Sequence, residues 1–110
     1  MSLAERMRKA REQKVQAGGY TFVVRRPTDV DMMEMGGRVD ARRLIPYVVG
    51  WEGVAEMDLV KGGEPHPLPF DREACAEWLA DRPDLLAPVV EAILAGYTAH
   101  AERLAAEKKP

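Results

Sequence analysis

The chain has 110 residues, 46% of them hydrophobic and 31% charged, and a formal net charge of −2. That length suits a single hydrophobic core, and the composition is that of a folded chain, not a disordered one. The near-neutral sum argues against a strong nucleic-acid or membrane-surface binder.

No apolar run approaches the roughly 20 residues needed to span a bilayer, and the charged start "MSLAERMRKAREQK" has no secretory h-region. Cys75 is the single cysteine, so no intramolecular disulfide can form, which fits a reducing compartment. The expected location is the cytoplasm. Charge is unevenly spread. Residues 1–26 hold seven Lys/Arg against two Asp/Glu, and the remainder nine against sixteen, so a basic arm precedes an acidic body.

In chain order, "SLAERMRKAREQKVQA" (2–17) is rich in helix formers and stops at Gly18-Gly19, which predicts a helix. Leu3, Met7, Ala10 and Ala17 give it only a narrow apolar stripe, so it is expected to be marginal alone. Residues 1–19 are therefore expected as a basic N-terminal helix or arm, with 20–110 a single globular, mainly helical domain. "YTFVVRR" (20–26), bounded by Gly19 and Pro27, predicts the one minor β element and places Phe22 in the core. After it, Thr28 and Asp31 form a capping-box pattern with Asp in place of Glu, opening a helix of about two turns that Gly36-Gly37 end.

"VDARRLIPYVV" (39–49) predicts a helix contributing Leu44 and Ile45 to the core and kinked or divided by Pro46. "GWEGVAEMDLVKGG" is expected to be extended or turn-like, and "EPHPLP" a polyproline-like connector. Asp71 is a strong N-cap, with Phe70 before it placed to staple onto Cys75. The helix "DREACAEWLAD" then buries Cys75, Trp78 and Leu79. A longer helix over about 84–107 presents Leu86, Val90, Ile93, Tyr97 and Leu104 along one face, with Pro88 expected in or near its first turn. The fold class expected is mainly α with a minor β element near 20–26.

Motifs that carry chemistry are sparse. His66 and His100 lie far apart without metal-ligand spacing, and Cys75 reads as a small core hydrophobe. There is no G-x-G-x-x-G, Walker-type loop, G-x-S-x-G or C-x-x-C. The expectation is a protein that is not an enzyme and takes no metal or cofactor. The basic arm with Arg25-Arg26 could touch nucleic acid, but it lacks a helix-turn-helix pattern or interleaved aromatics, and a solvated helix face is the simpler reading. "DMMEM" (31–35) has two readings of equal standing: an adaptable contact surface, or a short helix filling its core side.

"VVGWEGV", the "PFDREACAEWLAD" helix start and the helix pair "DRPDLLAPVVEAI" together resemble the tail assembly chaperones of long-tailed bacteriophages and prophages, over roughly residues 20–100. That resemblance implies a mainly helical, oligomerising protein. Its client would be the long helical tape measure protein, held soluble until tail tube subunits polymerise around it. It gives Trp51 a role as a contact residue on a pliable segment, with Val49, Met33 and Met35 as further contact candidates. The plainer reading of Trp51 is that it closes the core, with Gly50 and Gly53 letting the chain turn. The family also implies a longer product made by −1 frameshifting. "EKKP" at 107–110 can encode a slippery heptamer across Lys108-Lys109, although lysines there also suit the negative end of a helix dipole. A structural virion component (a tail or head–tail connector protein) and a small nucleic-acid-binding regulator are the alternatives. The apolar faces on so short a chain predict self-association.

Overall fold

The computed structural model describes residues 1–108. The chain runs α1 (Leu3–Ala10), β1 (Glu12–Ala17), β2 (Tyr20–Arg25), α2 (Asp29–Met35), α3 (Ala41–Leu44), a 3₁₀ turn (Ile45–Tyr47), β3 (Val48–Glu52), α4 (Glu56–Leu59), α5 (Arg72–Ala80) and α6 (Pro83–Glu107). Helices hold more than half of the residues, as expected. The β content exceeds the single strand expected, since β1, β2 and β3 form an antiparallel sheet in that spatial order.

The largest departure is at residues 12–17. The helix expected over 2–17 ends at Ala10, and the rest becomes strand β1, paired along its length with β2 from Glu12 opposite Arg25 to Ala17 opposite Tyr20. Gly18 and Gly19, both at positive φ, make the two-residue turn whose twist suits a hairpin. The boundary drawn at residue 19 thus falls inside a hairpin, and residues 12–17 belong to the sheet. Local propensity favoured a helix, but pairing with β2 satisfies the same backbone groups while burying Ala17.

The second departure is β3. Residues 48–49 were expected in a helix, yet the helix divides at Pro46 as the ring demands and the chain turns to strand. β3 pairs with β2, and the register shifts between Val23 and Val24: Phe22 faces Trp51, Val23 faces Gly50, and Val24 faces Val48. Val49 is the extra residue of this bulge. A regular strand would send residues 48 and 51 to opposite faces. The bulge brings Val48 and Trp51 both inward, each opposite a fully buried partner on β2.

Capping follows the sequence closely. Thr28 and Asp31 make a reciprocal capping box, with the Asp31 amide donating to Thr28 Oγ1 and the Thr28 amide to Asp31 Oδ2. Asp71 Oδ1 accepts from the Ala74 amide and opens α5. The 64–69 connector "EPHPLP" holds no helix or strand beyond one bridge between Ala55 and Pro67. α6 spans 25 residues, about 37 Å at 1.5 Å per residue. Pro88 lies inside it, in the second turn and so near the first turn as expected. The ring removes one ladder bond there, and the fully buried Leu85 and Val89 on either side hold the helix against the sheet.

The core lies between one face of the sheet and α3, α5 and α6. It holds Phe22, Leu44, Ile45, Cys75, Trp78, Leu79 and Ile93 as expected, together with Ala17, Val24, Val48, Trp51, Val54, Leu85 and Val89. Four expected core residues are corrected. Leu86, Val90 and Tyr97 are half-buried at the margin, because the first turns of α6 point Leu85 and Val89 inward, one residue before the pair expected, with Ile93 buried as expected. Phe70, before α5, is half-buried and packs against the core from its edge. Tyr97 instead donates its hydroxyl to Asp29 Oδ1 at 2.8 Å, and Phe70 meets Trp51 edge-on with 5.1 Å between ring centres. The codon argument at Lys108-Lys109 falls partly outside the described residues.

Candidate functional site

Of the four contact candidates, the structure buries the most conspicuous. Trp51 is 8% exposed. Its indole Nε1–H donates to the Leu68 carbonyl at 2.8 Å, and its ring stands edge-on to both Phe70 and Trp78. A tryptophan needs a partner for its N–H when buried, and the 64–69 connector supplies it. Trp51 is therefore a core residue and not a surface contact. Gly53, at φ +75°, turns the chain out of β3 just after it. Gly50 gives Val23 room, since a Cβ there would stand 3.4 Å from that side chain.

Val49, the bulge residue, is half-buried and lines a cleft considered below. Met35 packs against the core at the end of α2, whereas Met33 points away from it and is 77% exposed. In "DMMEM", Met35 thus fills the core side of the short helix and Met33 is left at the surface. Val30 on the same short helix is 60% exposed.

The side chains left out of the core by the register of α6 make an open apolar feature. Leu86, Ala87 and Val90 line a shallow groove with Pro83, Ala41 and Glu91. The walls come from the first three turns of α6 and the start of α3. The sequence shows Leu86 and Val90 as apolar but not that they stay at the surface. That depends on which of two adjacent apolar stripes the sheet takes.

Elsewhere Cys75, Asp29, Tyr97 and His100 are tied into structural contacts. Cys75 is buried, and burial pushes its thiol up to about 12, against a weak opposing pull from Arg72. His100 Nε2 lies 3.3 Å from Asp29 Oδ2. Hydrogen bonds from Tyr97 and from His100 hold the Asp29 carboxyl below its ordinary range. These contacts join α6 to the first turn of α2. Among the described residues, no three His, Cys, Asp or Glu side chains are grouped to hold a metal ion, and no helix is long and apolar enough to cross a membrane. Comparison with protein-family models, curated proteins and solved structures finds no match to this chain.

Proposed function

We propose that the protein is a non-enzymatic assembly chaperone of the phage or prophage tail-assembly type, with the long helical tape measure protein as client. The observation that carries this reading is the groove on α6. Leu86 and Val90 stand one helical turn apart, half-buried, between the small side chains of Ala41 and Ala87, with Glu91 at the rim. Such a surface suits an amphipathic helix that lays apolar anchors at i, i+3 and i+4 into it. A tape measure protein offers that pattern repeatedly along its length. The resemblance of "VVGWEGV" and "DRPDLLAPVVEAI" to this family supports the same reading. Exposed Leu3, Met7 and Met33 are further apolar surface on which copies of the chain could meet, which suits the oligomeric coat such chaperones form. In this reading the protein works in the cytoplasm of the bacterial host.

The test is co-expression with a tape measure segment. The native chain is expected to keep the segment in the soluble fraction, and Leu86→Asp with Val90→Asp to lose that effect while remaining folded. Equal solubility of the segment with and without the native chain would sink the chaperone reading. Presence of the protein in purified particles would favour the virion-component reading instead.

A further inference from the structure

A second surface has a different chemistry, and its reading does not rest on the chaperone assignment. Where the open end of the β1–β2 hairpin meets the 3₁₀ turn and α5, Arg11, Arg25, Arg26 and Arg72 line one cleft of about 200 Å³ with Thr28, Asp31, Pro46, Tyr47 and Val49. The four arginines come from three separate parts of the chain and converge only in the fold.

Their partners leave the charge unbalanced. Arg25 is paired with Glu12, Nη2 to Oε2 at 2.7 Å. Arg26 Nη1 donates to the Pro27 carbonyl at 3.0 Å and Arg72 Nη1 to the Pro46 carbonyl at 2.7 Å. These carbonyls fix the guanidinium groups in place without neutralising them. The Arg11 guanidinium has no hydrogen-bond acceptor among the described residues, and the Nε atoms of Arg11 and Arg25 are both buried without a partner. Asp31 also faces the cleft, where it is engaged by the Thr28 amide and the Tyr47 hydroxyl and feels the charge of Arg11 without a hydrogen bond to it. Four guanidinium groups against Asp31 and Glu12 leave 4 − 2 = +2. Arg26 registers the crowding: burial first, then the charges of Arg11 and Arg103, hold it below its ordinary value against a smaller opposing pull from Asp29.

Arginine side chains held by neutral carbonyls, with donors to spare, form an oxyanion receptor. A planar guanidinium presents paired donors that match carboxylate or phosphate oxygens. A carboxylate or a phosphodiester brings one charge. A terminal phosphate brings nearly two and three or more acceptor oxygens in different directions, which answers both the +2 excess and donors arriving from several sides. We propose that this cleft is a binding site for a phosphate dianion, either inorganic phosphate or the phosphoryl group of a phosphomonoester. A small turn of Arg11, which no protein acceptor holds, brings its unpaired donors onto the ligand. The bulge residue Val49 and the ring of Tyr47 supply apolar lining beside the guanidinium groups.

The test is calorimetric titration of the full chain at pH 8 and fixed ionic strength with inorganic phosphate, glycerol 3-phosphate and dimethyl phosphate, with chloride as the balancing anion. Saturable binding of phosphate is expected, with dimethyl phosphate binding at least about tenfold more weakly because it carries one charge. If glycerol 3-phosphate binds as tightly as the free ion, the ligand is the end of a larger molecule. If it does not bind, the ligand is the ion itself. Arg11→Gln, which removes a guanidinium that makes no hydrogen bond to the described residues, is expected to melt as the native chain does and to weaken phosphate binding about tenfold or more. Arg42→Gln, on the exposed side of α3, should leave it unchanged. Phosphate heats no larger than those of chloride, dimethyl phosphate binding as tightly as phosphate, or native affinity in Arg11→Gln would each overturn the site.

Discussion

Trp51 and Cys75 show how a side chain's surroundings determine its chemistry. Both are apolar in character, both lie in the core, and each has one polar atom to accommodate. The indole N–H finds the Leu68 carbonyl. The thiol has no need of an acceptor as long as it keeps its proton. That requirement has a consequence at high pH. Burial raises the Cys75 pKa from 9.0 to about 12, and burial together with Asp31 raises that of Tyr47 from 10.0 to about 12. Between the ordinary and the raised values the folded chain holds protons that the unfolded chain has released, so stability must fall as pH rises. It is fully present below pH 9.0 and is lost progressively towards pH 12. Urea midpoints measured from pH 8 upwards should therefore decline, and Cys75→Ala should show a shallower decline than the native chain whatever its absolute stability. The same slope in both proteins would mean that the thiol is not buried as described.

At the scale of the element, α6 and β1 carry the main lessons. α6 has apolar residues at 85, 86, 89, 90, 93 and 94, so two adjacent stripes are both wide enough to face a core. The sequence therefore shows an amphipathic helix without fixing its rotation. Leu85, Val89 and Ile93 are fully buried, and Leu86 and Val90 are left to line the groove. Leu85→Ala should cost about 2–5 kcal/mol, as for a buried leucine, and Leu86→Ala about 1 kcal/mol or less. Chemical denaturation of the two variants measures the difference, and equal losses would reject the register. β1 was misread because Glu12, Gln13, Lys14 and Gln16 are acceptable helix formers. The Gly18-Gly19 pair before "YTFVV" was nevertheless a hairpin signal in plain view. Gly18 is also needed for packing, since a Cβ there would run into the Leu85 side chain.

For the molecule as a whole, shape follows from what the core does not use. The radius of gyration is 15.5 Å, against about 13 Å for a compact domain of this length, and the longest dimension is 59 Å. α1 has no buried residue. Removing residues 1–10 should therefore move the melting temperature by less than about 3 °C, as followed by circular dichroism. A larger fall would show that α1 packs on the body. The truncated chain retains Arg11, so its phosphate binding is expected to persist, which separates the cleft from the arm.

Much of this protein follows from local chemistry and could be read from the chain. The caps at Thr28 and Asp71, the break at Pro46, the strand at 20–25 and the helix bearing Cys75, Trp78 and Leu79 each depend on residues within a few positions of one another. The tertiary structure alone decided the rest. It set β1 against β2, placed a bulge at Val49 that turns Trp51 into the core, and chose one of two apolar stripes on α6. It also gathered Arg11, Arg25, Arg26 and Arg72, whose spacing along the chain shows no more than the doublet. The reason is common to all four. A cap or a proline acts through the backbone beside it, whereas strand pairing, helix rotation and charge clustering are settled by partners beyond the local turn, from across a hairpin to tens of residues away.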